Sequence, residues 1–367
     1  MESAKKKAIV AMSGGVDSSV AAYLLKKEGY EVIGLSFELW DRRDAKKFNT
    51  CCSVETVEIA KSVACKLGIE HYTVDVRDAF YRYVIEDFCD SYIAGSTPNP
   101  CVLCNKHIKF DFLLQKAGEM GADIIATGHY ARTGRTQTTD NRRQTTEKSR
   151  VFLKKGIDTK KDQSYVLYVM TQGQLSKTVF PLGNMRKEET RALAREVGLE
   201  NALRPESQEI CFVGDRNYTD FISDFAPEAL KPGTIIDMEG KVAGTHKGIA
   251  FYTIGQRKRL GVSSLKPLYV AGIDRVKNII IAGSREDAMR KSLRVKNLNW
   301  ISVKALSETA RAGVKIRSTM KEEPASVIPQ GDGAVIVEFD EPQWAPASGQ
   351  SAVFYDGDVV IGGGVIE

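Results

Sequence analysis

Near the start of the sequence, Ala8–Met12 (AIVAM) runs directly into Ser13–Ser19 (SGGVDSS), and these two stretches are the strongest indication of the fold. The apolar run is typical of a buried strand, and apolar residues then recur every four positions from Val16 and Val20 until Gly29, which predicts an amphipathic helix. Glycine lets the backbone approach a ligand closely, and a helix N-terminus offers unpaired N–H groups to phosphate oxygens. The start of the chain therefore predicts strand, phosphate-binding turn and helix, with the serine hydroxyls of the loop as further donors.

The same alternation continues along the chain. Further strand-like segments are Glu31–Phe37, Ile69–Val76 and Asp123–Thr127. Further segments with helical spacing are Ser53–Leu67, with Ser53 as a cap, Asp78–Ala94 and Arg186–Val197. Because alternating strands and helices form a parallel sheet covered on both faces, we predict a Rossmann-like α/β domain over residues 1–215.

After residue 215 the pattern changes to short β-rich runs, and helical periodicity largely disappears. Turn signals separate these runs, as at Glu239-Gly240, Lys277-Asn278 and Asp356-Gly357. We predict two small β domains, residues 216–284 and 285–367, of which the last is barrel-like.

Composition narrows the class of protein. Of 367 residues, 43% are hydrophobic and 27% charged, which is a globular balance. No apolar run approaches the roughly 18 residues that cross a bilayer, and the apolar run at the start of the chain is too short for a secretory leader. We therefore expect a cytoplasmic protein with no membrane partner.

The distribution of charge is more informative than the total of +5. Arg132–Lys161 carries ten Lys or Arg against three Asp or Glu, a formal charge of +7. Such a stretch favours a polyanionic partner, and a nucleic acid is one. Between His129 and Arg150 the polar composition and the lack of an apolar period predict an exposed, mobile loop.

Seven cysteines form no disulfide framework, and the odd number favours a reducing compartment. Cys101 and Cys104 open a predicted helix, where the helix dipole favours a reactive thiolate. A zinc site would need two more ligands, and the sequence has no second C-x-x-C. Spacing alone leaves a thioredoxin-like redox site open for this pair, and for Cys211 it favours a buried core cysteine.

The phosphate loop is not of the Walker type, because the sequence contains no Gly-x-x-x-x-Gly-Lys-Ser/Thr string. Without the P-loop lysine, transfer of a terminal phosphoryl group is not the expected chemistry. Ser13–Ser19 resembles instead the PP-loop of ATP pyrophosphatases, enzymes that adenylate a substrate oxygen and release pyrophosphate. A simple turn and helix cap is the alternative interpretation.

Longer strings add a second resemblance. They are TPNPCVLCNKHIKF at Thr97–Phe110, ATGHY at Ala126–Tyr130, KDQSY at Lys161–Tyr165, EICFV at Glu209–Val213, GQRK at Gly255–Lys258 and GQSAVF at Gly349–Phe354. Together with the loop, they resemble tRNA-specific 2-thiouridylases of the MnmA type, from about residue 8 to residue 366. The resemblance implies replacement of the C2 oxygen of the wobble uridine, position 34, by sulfur in tRNAs for Lys, Glu and Gln. It implies ATP and Mg²⁺ as cofactors, with AMP and pyrophosphate released.

The resemblance also implies a role for each matching position. Residues implied to bind ATP are Ala11, Met12, Ser13, Gly14, Gly15, Val16, Asp17, Ser18, Phe37 and Gly128. Residues implied to surround the target base are Asn99, Pro100 and Cys101. Residues implied to contact tRNA are His129, Lys161, Asp162, Gln163, Arg317, Ser318 and Gln350.

In the implied reaction, O2 of uridine attacks the α-phosphate and pyrophosphate leaves. Sulfur from a persulfide on Cys211 then attacks the adenylated carbon, and Cys104 takes the resulting disulfide, which a reductant must reset. A cysteine desulfurase or a sulfur-relay protein would supply the persulfide.

Two departures from the family pattern keep alternatives open. Cys101 stands where many relatives have Asp, so a carboxylate base is missing there. The three thiols of Cys101, Cys104 and Cys211 are also a ligand set for a [4Fe–4S] cluster. Ser318 stands where relatives often have an aromatic residue. Another enzyme that fits the loop is a PP-loop amidotransferase or ligase acting on a small molecule. The non-enzyme alternative is a tRNA-binding sulfur carrier that has lost adenylation, and the intact loop Ser13–Ser19 argues against it.

Overall fold

The computed structural model describes residues 5–39, 54–135, 150–205, 210–214, 217–227 and 230–367. The strands in these residues are β1 Lys7–Ala11, β2 Glu31–Glu38, β3 Glu70–Asp75, β4 Ile124–Ala126, β5 Ala131–Arg135, β6 Val151–Lys155, β7 Thr178–Val179, β8 Gly233–Ile236, β9 Val242–His246, β10 Tyr269–Asp274, β11 Ile279–Gly283, β12 Met289–Trp300, β13 Ala310–Lys315, β14 Glu323–Pro329, β15 Val335–Trp344, β16 Ser351–Asp356 and β17 Val359–Ile366. The α-helices are α1 Val16–Lys27, α2 Val54–Leu67, α3 Arg77–Phe80, α4 Glu86–Ile93, α5 Pro100–Leu103, α6 Phe110–Glu119, α7 Ser164–Leu167, α8 Gln172–Lys177, α9 Lys187–Glu196 and α10 Tyr218–Phe225.

The chain forms two compact units. The first unit consists of Met1–Tyr83, Cys101–Asp215 and Asp358–Ile361. The second unit consists of Val84–Pro100, Arg216–Gly357 and Gly362–Glu367. The predicted boundary after residue 215 lies outside the described residues, so the division into three domains stays a prediction.

A five-stranded sheet in the order β3-β2-β1-β4-β7 organises the first unit. All its strands are parallel, with Ala8 of β1 opposite Val32 of β2 and Ile124 of β4. The central strand is covered on both faces, which explains why Ile9 and Val10 are both apolar and fully buried. The strand order reverses at β1, and ligands of such sheets bind at that switch point. The predicted parallel α/β domain is confirmed.

Small residues bring the helices close to the sheet. Ala21 of α1, Ala64 of α2 and Ala194 of α9 share one buried core. The helix predicted over Asp78–Ala94 is observed as α3 and α4 joined by a π-helical turn, Tyr81–Ile85. Ser53, the predicted cap of α2, lies outside the described residues.

The region between His129 and Arg150 differs from the prediction. Ala131–Arg135 is strand β5, paired antiparallel with β6, so the predicted loop was wrong for these residues. Its composition gave little strand signal because Ala131 alone is fully buried, and Gly134 leaves room for the ring of Phe152. Residues 136–149 of this loop lie outside the described chain.

The second unit is rich in antiparallel β-structure, as predicted. A four-stranded sheet has the order β10-β11-β8-β9. Six strands in the order β12-β15-β14-β13-β16-β17 form a barrel, closed by pairing of β12 with β17. Gly240, Asn278 and Gly357 adopt positive φ at the three predicted turns. The helix α10, with Phe221 and Ile222 buried, was not predicted.

No helix in the described ranges has both the length and the apolar character needed to cross a bilayer.

Candidate nucleotide and thiol site

The loop between β1 and α1 is shaped by its own hydrogen bonds. Gly14 has φ of +74°, and a Cβ there would lie 2.4 Å from the carbonyl oxygen of Thr56. The Ser18 hydroxyl donates to the carbonyl oxygen of Gly15 at 3.0 Å, and the Ser13 N–H donates to that hydroxyl at 3.2 Å. Gly15 precedes α1 and has no side chain to cap it, so the first N–H groups of the helix face outward for an anion.

Ser19 differs from the expectation for the loop serines. Its side chain is fully buried, and its hydroxyl donates to the Gly15 carbonyl oxygen at 3.1 Å. The same hydroxyl accepts from Asn201 Nδ2 at 2.9 Å, and Asn201 also donates to the Gly14 carbonyl oxygen at 2.8 Å. Ser19 therefore braces the loop rather than offering a donor to phosphate. Asn201 was missed, since a single asparagine far along the sequence carries no signal of this contact.

Gly128 follows β4 and lies against the start of α1. A Cβ at this position would be 2.6 Å from the Ser18 nitrogen and 2.7 Å from the Asp17 carbonyl carbon. The end of β4 therefore touches the phosphate loop itself at the switch point of the sheet, and only glycine permits this approach.

We expect Gly128→Ala to weaken ATP binding, because the added methyl group meets backbone atoms of the loop that cannot rotate away. Overpacking of this kind costs about 1–3 kcal/mol, which corresponds to about 10- to 100-fold in affinity when the loop itself is displaced. Calorimetric titration with ATP measures the change. Gly118→Ala in α6 is the matched control, because a Cβ there meets nothing within 4 Å. Equal ATP affinity of both variants would contradict the prediction.

Asp17, in the first turn of α1, has two buried partners. The Lys187 ammonium lies 2.7 Å from each carboxylate oxygen. The Tyr130 hydroxyl donates to Oδ1 at 2.9 Å and lies 3.0 Å from the hydroxyl of Thr190. Sequence reasoning missed Lys187 as a site residue, because it reaches Asp17 from a separation of 170 residues.

A small cavity of about 70 Å³ adjoins the loop. Met12 and Ser13 form one part of its wall, and Phe37 at the end of β2 forms another. Cys104 and Lys109 complete it from the helical segment that follows α5. The structure thus brings Phe37, the phosphate loop and the Cys104 thiol to one cavity. Lys109 is a third missed residue, because the sequence marked it only as part of the longer string Thr97–Phe110.

The local fold separates the two thiols of the C-x-x-C string. Pro100 is the first residue of α5, where its missing N–H costs nothing, and Cys101 behind it is exposed. Cys104 begins a π-helical turn, Cys104–Lys109, and is buried. Such turns inside helices are frequent at functional sites. The neighbouring Asn105 holds the turn in place, because its side chain donates to the Val166 carbonyl oxygen at 2.9 Å.

Cys211 is partly buried, and the next residue anchors it. The ring of Phe212 packs edge-on against Phe80 at 5.8 Å between centroids. By contrast, burial raises the pKa of the Cys89 thiol to about 12, so Cys89 stays protonated and unreactive.

The donor set for an iron–sulfur cluster does not assemble in the described part of the chain. No three His, Cys, Asp or Glu side chains there converge in a manner that holds a metal ion, and this includes Cys101, Cys104 and Cys211.

The positions expected to contact tRNA in the first unit are partly engaged inside it. His129 is buried between Phe110 and Phe180, and burial holds its pKa well below the ordinary value, so the ring is neutral. Asp162 accepts from the Ser164 hydroxyl at 2.8 Å. The side-chain oxygen of Gln163 accepts from the Tyr130 N–H at 3.0 Å. These bonds shape the surface around Lys161, whose side chain is partly exposed, and contact with tRNA stays a prediction.

In the second unit, Gln350 holds the segment that leads to Asn99. Its side-chain amide donates to the carbonyl oxygens of Thr97 at 3.1 Å and Pro98 at 2.9 Å. Arg317 donates to the carbonyl oxygen of Ile254 at 3.3 Å. Gln350 therefore orders the backbone just before Asn99, and Arg317 orders the backbone at Ile254. Contact of either residue with tRNA stays a prediction, as does that of the exposed Ser318.

Family models cover almost the whole chain. A tRNA methyl transferase HUP domain matches residues 6–215, a tRNA methyl transferase PRC-barrel domain matches residues 219–284, and an aminomethyltransferase beta-barrel domain matches residues 290–366.

Relatives match over the same length. A tRNA-specific 2-thiouridylase of a Thermoanaerobacter species is 51% identical over 361 residues, which is 98% of this chain and 97% of the relative. One from Clostridioides difficile is 45% identical over 363 residues, covering 99% and 98%. One from Acetivibrio thermocellus is 47% identical over 366 residues and covers 99% of both chains.

The parallel sheet carries a phosphate loop without the P-loop lysine at its switch point, and the HUP domain model matches this part of the chain. Fold and loop together define an ATP-using enzyme of the PP-loop class. Within that class, identities of 45% to 51% over nearly full length show that the chain belongs to the family of tRNA-specific 2-thiouridylases.

Proposed function

We propose that the protein catalyses the ATP-dependent 2-thiolation of uridine 34 in tRNAs for Lys, Glu and Gln. The observation that carries this proposal is the cavity that joins the phosphate loop, Phe37 and the buried Cys104 thiol. An adenylating loop and a thiol on one wall are what a reaction needs when it first activates an oxygen and then replaces it with sulfur. Methyl transfer, named in the family description, has no use for this pairing.

The loop supplies the first half of the reaction. N–H groups at the start of α1 and the hydroxyl of Ser13 bind the phosphates, and Phe37 packs on the adenine side. Mg²⁺ would enter with ATP on the phosphate oxygens, because Lys187 already pairs with both carboxylate oxygens of Asp17. Attack of uridine O2 on the α-phosphorus then forms the adenylated base and releases pyrophosphate.

The thiols supply the second half. The terminal sulfur of a Cys211 persulfide attacks C2, and AMP leaves with the former O2. The Cys104 thiolate attacks the Cys211 sulfur, so that the S–S bond of the persulfide breaks, the thiocarbonyl remains on the base and a Cys104–Cys211 disulfide forms. An external dithiol reduces this disulfide, and a persulfide donor such as a cysteine desulfurase or a relay protein recharges Cys211. Such thiol chemistry fits the cytoplasm, where cysteines are kept reduced.

Asn99, Pro100 and Cys101 would surround the target base. An anticodon base must leave the stack before an enzyme can reach its C2 atom. The two bonds from Gln350 to Thr97 and Pro98 order the chain just before Asn99, within the second unit.

Pyrophosphate release from ATP tests the proposal. The purified protein, given ATP, Mg²⁺ and unmodified tRNA, releases pyrophosphate only when the tRNA carries uridine at position 34. A tRNA with cytidine at that position is the control. Release that is independent of tRNA, or absent with every tRNA, would refute the proposed function.

Binding of tRNA should weaken steeply with salt, because the basic stretch Arg132–Lys161 displaces counterions from phosphates. Titration of tRNA between 50 and 200 mM KCl gives the slope of log affinity against log salt. We expect Arg142→Gln/Arg143→Gln to make the slope shallower by about 1.4, because each neutralised phosphate contact adds about 0.7 on single strands. A slope that equals the wild-type value would show that these two arginines do not contact the backbone.

A further inference from the structure

Lys187 is the most thoroughly buried cation beside the phosphate loop. Its side chain is 9% exposed, and that of Asp17 is 31% exposed. The ammonium lies 2.7 Å from both carboxylate oxygens, so the pair is bidentate on the carboxylate side. Burying a lysine and an aspartate is costly, and it is sustained only when their charges compensate each other.

The position of Lys187 is fixed by its own element. It is the first residue of α9, where its N–H donates to Asp158 Oδ2 at 3.0 Å. Ala194 in the same helix packs in one core with Ala21 of α1, the helix that carries Asp17. The ammonium is therefore held by two helices that pack on each other, rather than by a flexible surface contact.

The location of Asp17 creates an electrostatic problem for a nucleotide site. Asp17 lies in the first turn of α1, among the N–H groups that would receive phosphate oxygens. A triphosphate carries several negative charges, and an uncompensated carboxylate within a few ångströms would repel it strongly in a partly buried site. The PP-loop contains no lysine of its own.

We propose that Lys187 is a positioning residue of the nucleotide site. It acts through Asp17, orienting the carboxylate and offsetting its charge so that the anionic triphosphate can enter the loop. Tyr130 contributes orientation only, through its neutral hydroxyl bond to Oδ1. This inference rests on the proposed function insofar as ATP binds at Ser13–Ser19.

Affinity for ATP, measured by calorimetry with Mg²⁺ and without tRNA, separates charge compensation from simple support of the fold. We expect Lys187→Met to weaken ATP binding at least about tenfold, because Asp17 then repels the phosphates. Asp17→Asn/Lys187→Met removes both charges, and its ATP affinity should exceed that of Lys187→Met at least about fivefold. Lys187→Arg, which keeps the positive charge, and Tyr130→Phe should stay within about threefold of wild type.

Lys61→Met is the matched control, because Lys61 forms an exposed ion pair with Glu58 on α2. Wild-type ATP affinity in Lys187→Met would overturn the inference, and so would a double variant as weak as the single one. Thermal unfolding is followed for every variant. If Lys187→Met does not fold, the test uses Lys187→Arg and the double variant Asp17→Asn/Lys187→Met. Tenfold weaker ATP binding than wild type in both would contradict the proposed role of Lys187.

Pyrophosphate release by the wild-type enzyme distinguishes an error in the proposed function from an error in the role of Lys187. If the wild-type enzyme releases no pyrophosphate with tRNA, the proposed function is wrong whatever the variants bind. If the wild-type enzyme is active and Asp17→Asn/Lys187→Met binds ATP no better than Lys187→Met, only the role of Lys187 is wrong.

Discussion

Cys211→Ser abolishes tRNA thiolation and leaves tRNA binding near the wild-type value. A serine hydroxyl cannot carry a persulfide, so no sulfur reaches the adenylated carbon, whatever the state of the nucleotide site. The side chain is only partly buried, and the ring of Phe212 against Phe80 provides the local anchor, so the substitution removes little packing. Mass spectrometry of the digested tRNA measures 2-thiouridine, and filter binding measures the affinity.

Two further variants make this test specific. Cys89→Ser changes a buried cysteine whose raised pKa keeps it protonated, and it should retain thiolation in whatever fraction of the protein folds. Cys104→Ser should also lose turnover, but with the persulfide still detectable on Cys211, because Cys104 acts after the persulfide is loaded. If Cys211→Ser lost tRNA binding and thiolation to the same extent, Cys211 would be a structural residue and not the sulfur carrier.

Much of the fold could be predicted because each signal is local. The apolar run of β1, the glycines after it and the four-residue spacing of α1 all lie within one short stretch, so the strand, turn and helix follow from neighbouring residues. The five-residue strand β5 could not be predicted in the same way. It is a polar strand, and its pairing with β6 depends on a partner beyond residues 136–149.

In the candidate site, too, residues in continuous motifs could be predicted, and residues that reach the site from distant parts of the sequence could not. The phosphate loop and the C-x-x-C string are continuous in sequence, and so they were recognised as motifs. Lys187 and Asn201 reach the loop from separations of 170 and 187 residues, through single side chains. No periodicity or composition marks such contacts, because only the packing of α9 and of the turns after it on α1 brings them there. The resemblance supplied roles for matching positions, and it supplied none for these two.

Asp17→Ala eliminates pyrophosphate release, and we expect a loss of at least about a thousandfold in rate. The substitution removes the carboxylate beside the phosphates and leaves the buried Lys187 ammonium without the compensating charge of Asp17. Loss of one member of a buried ion pair lowers the free energy of unfolding by about 3–5 kcal/mol. Coupled release assays with ATP, Mg²⁺ and tRNA measure the rate, and thermal unfolding reports how much of the loss comes from stability.

Glu58→Ala is the matched control for Asp17→Ala, because it removes an equally charged partner from the exposed pair with Lys61, where an ion pair contributes only about 0–1 kcal/mol. It should release pyrophosphate at the wild-type rate. Asp17→Asn keeps the size of the side chain and one acceptor oxygen, so the Tyr130 bond can persist, and comparison with Asp17→Ala isolates the contribution of the charge. An Asp17→Ala enzyme that still released pyrophosphate at the wild-type rate would show that adenylation does not use this loop. The substitution removes the carboxylate and also leaves the charge of Lys187 uncompensated, so a PP-loop site in use would lose activity.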